Sequence, residues 1–151
     1  MSTTATLSST ETQYATFYVA DLLLGLPLSQ VREIINHQDV TAVPHAPPFV
    51  RGVINLRGEV VTVVDHATLL DLPQSDITAK SRTVIVNWDG DQVGLTVDSI
   101  ADIISIPHSE ITPPPSNING ADGRRFRGVY TTENHIVVIV KLDDLFASYI
   151  N

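Results

Sequence analysis

From Tyr14 onward, short runs rich in Val, Ile, Thr and aromatic residues alternate with turn-forming residues. YATFYVA (14–20), TAVP (41–44), GVINL (52–56), EVVTVVD (59–65), RTVIVNW (82–88), QVGLTV (92–97) and HIVVIVKL (135–142) have the length and composition of strands. Asp89-Gly90 between two such runs predicts a hairpin, and Arg57-Gly58 predicts a second turn in which glycine supplies the positive φ. The nine prolines fall at joints, notably Pro44, Pro47-Pro48 and Pro113-Pro114-Pro115, where they interrupt no ladder. Helix is expected only as one turn around residues 29–32, a short stretch at 67–72 and the C-terminal LDDLFASYI (142–150). Short strands at this spacing predict an all-β chain of small barrels or a sandwich.

An internal repeat sharpens the expectation. Shifted by 69 residues, GLPLSQVREII (25–35) lies over GLTVDSIADII (94–104), pairing Gly25 with Gly94, Val31 with Ile100 and Ile34-Ile35 with Ile103-Ile104. Pro44 falls on Pro113 in the same frame. The frame then slips to 76, placing Arg51-Gly52-Val53 on Arg127-Gly128-Val129 and VVTVV (60–64) on IVVIV (136–140). The slip is expected in the Pro/Asn/Gly-rich stretch 113–123, where an inserted loop costs little. Two copies predict two like-folded lobes, about 14–79 and 80–150, each with room for about five strands. Lobes this small need apolar strands packed across their boundary, and the seam is the natural place for a groove.

Composition narrows the function classes. Hydrophobic residues make up 43% of 151, enough for a core without staples, and no cysteine is present. Disulfide scaffolds, Cys-based zinc sites, Fe–S clusters and cysteine nucleophiles are thereby excluded. Nine basic residues against 17 acidic give a net charge of −8, which disfavours nucleic acid and anionic membrane surfaces as partners. Residues 1–13, polar and without positive charge, read as a disordered leader rather than a signal peptide. No apolar run approaches membrane-spanning length, and the chain reads as a soluble cytoplasmic protein.

Catalytic motifs are missing: the sequence holds no G-x-S-x-G elbow, phosphate-binding Gly-rich loop or H-E-x-x-H helix. Asp89-Gly90-Asp91 opens like a calcium loop, but Val93 and Ile100 occupy ligand positions, so a hairpin tip is the reading. Asp65 and His66 look like a dyad, yet neighbours on a strand point to opposite faces. The five histidines share no metal-ligand spacing, and no metal or cofactor is expected. Arg124, Arg125 and Arg127 read as a solvated loop tip.

The stretch PPFVRGVINLRGEVVTVVD (47–65), with VREI (31–34) and RTVIVNWDGDQVGLTVDSIADII (82–104), closely resembles the signature of the CheW family of bacterial chemotaxis coupling proteins. The resemblance runs from about Tyr14 to Phe146. It implies a pair of SH3-like five-stranded barrels, in agreement with the repeat. It also implies a non-catalytic scaffold joining the regulatory domain of a CheA-type histidine kinase to the cytoplasmic tip of methyl-accepting chemoreceptors, at arrays on the inner face of the membrane. By position, Val31, Gly52, Arg57, Gly58, Val84 and Ile103 match family positions associated with receptor and kinase contact. Glu33 occupies the matching acidic position, and the resemblance suggests that it pairs with Arg57. Core packing is the competing explanation for Val31, Val84 and Ile103, and turn geometry for Gly52 and Gly58. Two departures stand out: Thr62 replaces the common proline, and His66-Ala67 replaces the usual Leu-Arg. Thr62 is harmless to a strand, whereas the missing arginine after Asp65 leaves open a scaffold serving another output, such as pilus motility.

Overall fold

The computed structural model describes residues 10–74, 76–118 and 120–150. Twelve strands run in chain order: β1 (Glu11–Val19), β2 (Leu22–Pro27), β3 (Val31–Asn36), β4 (Val50–Leu56), β5 (Glu59–Asp65), β6 (Arg82–Trp88), β7 (Asp91–Val97), β8 (Ser99–Pro107), β9 (Asn117–Ile118), β10 (Ala121–Asp122), β11 (Phe126–Thr131) and β12 (Ile136–Val140). Two helices, α1 (His66–Leu69) and α2 (Leu142–Ile150), follow β5 and β12. Asp65 caps α1, its carboxylate accepting from the Thr68 amide at 3.0 Å.

The long strands form two five-stranded sheets, ordered β4-β5-β7-β6-β3 and β11-β12-β2-β1-β8. Each closes through one backbone bridge, where the chain leaving its last strand reaches the opposite edge. Thr41 exchanges two hydrogen bonds with Val53 (2.9 Å each), and Thr112 exchanges two with Val129 (2.9 and 2.8 Å). The sheet of β3 to β7 is the first barrel and the sheet of β1, β2, β8, β11 and β12 the second, each holding one parallel pair. Closure removes the exposed edges along which open sheets stick together.

The register reproduces the repeat pair by pair. Thr16 lies opposite Gly25 and Ala15 opposite Ile103; 69 residues on, Ile85 lies opposite Gly94 and Val84 opposite Ile34. Gly25 pairs in parallel with Ile139, and Gly94 with Val63. Bulges recur at Val50/Gly52 and Phe126/Gly128. The bridges shift one detail: Thr41 corresponds to Thr112, an offset of 71, so the frame slips before Pro44, which does not keep its match with Pro113.

The sheets do not follow a division of the chain at residues 79/80. Each barrel takes its central hairpin from one repeat and its other three strands from the other: β1-β2 sits with β8, β11 and β12, while β6-β7 sits with β3, β4 and β5. The expected lobes are thus interleaved. The expected leader also shortens, since Glu11, Thr12 and Gln13 pair with β8; residues 1–9 lie outside the described residues.

Interleaving suits strands that are apolar on both faces. Val137 and Ile139 fill the second barrel with Tyr14 and Ile106, and Val61, Val63 and Ile85 fill the first with Ile54. The opposite faces, Val138 and Val140 of β12 and Val84 and Val86 of β6, join Phe17, Leu24, Leu95 and Val97 in a larger core shared by both barrels. Helix α2 straps this assembly: it leaves the second barrel and rests its Phe146 ring 4.9 Å from Trp88 of the first, while the Trp88 indole donates to Asp143 at 3.1 Å.

Local expectations met mixed outcomes. TAVP (41–44) supplies only the Thr41 bridge, because Pro44 and the prolines beyond it end pairing. The turn expected at 29–32 is a 3-10 turn at Leu28–Gln30, and Val31 already opens β3. Strands β2, β3, β8 and β11 were not among those legible from local pattern.

Candidate functional site

The β4–β5 hairpin turns at Arg57 and Gly58, with φ of 52° and 87°, and the Asn55 side-chain oxygen accepts from the Gly58 amide at 2.9 Å. This turn throws the Arg57 guanidinium outward, leaving its side chain 72% exposed. Across the seam where β3 and β4 close the first barrel, it donates to both Glu33 oxygens, at 2.5 and 2.9 Å. The fork geometry fixes both side chains in one plane. The hydrogen bonds from Arg57 hold the Glu33 carboxyl below the usual carboxylate range, and Glu33 raises Arg57 in turn. Both groups are therefore ionised at neutral pH.

Glu33 lies opposite Ile85, on the face of β3 turned to the first barrel's own cluster, while an apolar strip occupies the other face, where the barrels meet. Residues facing each other across paired strands project to the same side of the sheet. Val31 lies opposite Val86 and Ile34 opposite Val84, both in the shared core; Ile100 lies opposite Phe17 and Ile103 opposite Ala15. All four side chains consequently stand on the side where the barrels meet. Ile34, Ile100 and Ile103 are 39%, 37% and 59% exposed, and Val31 packs partly buried against the core. Val31 corresponds to Ile100, and Ile34 to Ile103, in the 69-residue frame, so the strip has the pseudo-two-fold symmetry of the fold. Ile34 and Ile100 were not among the expected contact positions. The repeat held the signal, because it maps the chosen Val31 and Ile103 onto them.

Two expected contact residues are not on this surface. Val84 is fully buried within the shared core and packs there, since its strand has both faces covered. Gly52 is also buried; a Cβ on it would meet the Thr41 carbonyl oxygen at 2.4 Å, so the barrel-closing bridge requires glycine. Gly58, exposed at the hairpin tip with nothing within 4 Å of a Cβ, belongs to the corner through its turn.

Other polar features hold the fold. Asp65 is fully buried and accepts from Arg51, at 3.2 and 2.9 Å, while its second oxygen caps α1. His66 is buried beside it with neither ring nitrogen hydrogen-bonded among the described residues and its ring 5.6 Å from Phe17, so the two residues form no dyad. Of the arginine cluster, Arg124 is solvated and paired with Asp122. Arg125 is not a solvated tip: its side chain is 17% exposed and clamps the end of α1, donating to the Leu69 carbonyl at 2.6 Å and to Asp71 at 2.7 Å. Among the described residues no three His, Asp or Glu side chains gather as a metal site, and no helix is long and apolar enough to cross a membrane.

Comparison with known proteins gives a consistent result. A CheW-like domain model matches residues 13–149. The chain is 33% identical over 132 residues to the chemotaxis protein CheW of Rhizobium meliloti (strain 1021), covering 87% of this chain and 85% of that one. It is 31% identical over 105 residues to protein FrzA of Myxococcus xanthus, covering 70% and 66%. The crystal structure of the scaffolding protein TtCheW from Thermoanaerobacter tengcongensis matches with a TM-score of 0.80 at 31% identity, over 89% of this chain and 87% of that one.

Proposed function

The chain belongs to the CheW-like domain family, and from that membership and the apolar strip we propose a non-catalytic adaptor between chemoreceptor tips and a CheA-type histidine kinase. The observation that carries the reading is the exposed strip Val31, Ile34, Ile100 and Ile103, with the Arg57–Glu33 pair on the other face of β3. A receptor helix presenting apolar residues at i, i+3 and i+4 spacing matches such a strip, and the charged pair on the other face of β3 offers the kinase a separate contact. The adaptor would work in the cytoplasm, at receptor arrays on the inner face of the membrane. A scaffold serving another signalling output is the second reading, favoured by the similarity to FrzA and by His66-Ala67 just after the signature stretch.

Kinase activation in arrays reconstituted with receptor and kinase tests the proposal. Arg57 is solvated and its pair adds little to folding. Arg57→Ala is therefore expected to leave the melting temperature nearly unchanged while weakening activation at least about tenfold, the loss typical of an interface hot spot. Glu33→Arg combined with Arg57→Glu should restore part of the loss, and Ile103→Ser should reproduce it. Wild-type activation by Arg57→Ala, or its unfolding, would overturn the role given to the corner. A chain that couples only to receptors and kinases of another output would establish the second reading.

A further inference from the structure

The two barrels are equivalent by register, yet their hairpin ends differ in chemistry. In the second barrel a groove of about 580 Å³ opens between the β1–β2 turn and the β11–β12 hairpin, floored by Leu22 and walled by Tyr18, Ile118 and Ile136. Tyr18 and Ile136 are 37% and 55% exposed. Asp21 and Glu133 stand exposed on its rim, no Lys or Arg lines it, and neither carboxylate has an ion-pair partner among the described residues. At the same end of the first barrel the repeat places Asn87 for Tyr18, Asp91 for Leu22, Gly90 for Asp21 and Arg57 for Glu133. There the side-chain amide of Gln92 bonds to Glu59 at 3.0 Å, a polar contact where the second barrel has Leu23 and His135.

We propose that this groove is a second docking surface, distinct from the strip between the barrels, and that it takes an amphipathic segment of another protein carrying aliphatic side chains flanked by Lys or Arg. The apolar floor and walls lose water to an aliphatic face. The rim supplies two carboxylates with which no Lys or Arg among the described residues pairs, and His135 is the titratable base in the lining, so the complementary partner is basic. A second copy of this chain, itself at −8, meets a like-charged surface and is the poorer occupant.

The test needs neither receptor nor kinase, so its outcome is independent of the adaptor reading. A fluorescent amphipathic helical peptide of leucine and lysine, and its twin with glutamate for lysine, are titrated into the full chain while backbone amide shifts are followed by NMR. The lysine peptide should bind with its largest shifts at Tyr18, Asp21 and Ile136. Asp21→Asn with Glu133→Gln, and separately Ile136→Ser, should weaken it at least about tenfold. Asp89→Asn with Glu110→Gln makes the same change in net charge elsewhere and should leave binding intact. Equal weakening by both carboxylate pairs, comparable binding of the glutamate peptide, shifts spread over the surface or centred on Ile34 and Ile103, or self-association through this face would each overturn the proposal.

Discussion

His66 shows how one side chain sets a condition on the whole core. Its ring is fully buried, and burial pushes the imidazole from its ordinary 6.5 down to about 4, against an opposing pull from the Asp65 charge. The folded chain therefore keeps a neutral imidazole where the unfolded chain takes up a proton. Stability is complete above pH 6.5 and declines as pH falls towards 4, by a total of about 3 kcal/mol. The corresponding residue in the other copy of the repeat is Leu142, also buried. His66→Leu should accordingly flatten the melting temperature between pH 6.5 and 4.5, where the wild type falls, and should not destabilise at pH 7, since two unpaired ring nitrogens leave the core. Parallel pH profiles for the two proteins would show that His66 does not govern this window.

At the scale of elements, the barrel-closing bridges explain the shared Arg-Gly positions. A Cβ at Gly52 would meet the Thr41 carbonyl oxygen at 2.4 Å, and one at Gly128 the Thr112 carbonyl oxygen at 2.7 Å. Backbone cannot yield there without losing the two hydrogen bonds that close each barrel. Gly52→Ala and Gly128→Ala should each cost more than about 2 kcal/mol in urea unfolding, through overpacking and a lost bridge. Gly58→Ala meets no atom and should cost about 1 kcal/mol, from its positive φ alone. Equal losses at all three positions would rule out the bridge as the cause. The strands legible from pattern were those whose apolar β-branched residues run uninterrupted, such as β5, β6 and β12. Strands β3 and β8 carry Arg32, Glu33 and Asp102 among their isoleucines because they end their sheets and are partly exposed along their length, so they lack the signature of a buried strand. The mixed polarity that hid them marks the candidate site. The repeat, a non-local signal, maps one onto the other, and the resemblance suggests the pairing of Glu33 with Arg57. Val84 and Gly52 misled because a position can match a contact pattern while its side chain, or lack of one, serves packing.

Interleaving decides how the whole molecule folds. A cut between residues 79 and 80 leaves the β1–β2 and β4–β5 hairpins on one side and the β6–β7 and β11–β12 hairpins on the other. The β1–β8, β3–β6, β5–β7 and β2–β12 ladders all cross the cut. The shared core crosses it as well, joining Phe17, Leu24 and Val64 to Val84, Leu95 and Val138. Isolated hairpins are marginal in water, so neither half retains a sheet able to stand alone. Fragments 1–79 and 80–151 should each lack cooperative thermal unfolding by circular dichroism. Mixed in equal amounts, they should assemble and restore the environment of Trp88, which packs at a tilt against Phe146 of the same fragment but sits in a strand paired to β3 of the other. The intact chain should unfold in one transition, with Trp88 fluorescence and far-ultraviolet circular dichroism coinciding. Ladders between residues so distant in sequence also predict slow folding for a chain of this length. Independent melting of either fragment would mean that each repeat folds as its own barrel, and the interleaved arrangement would have to be abandoned.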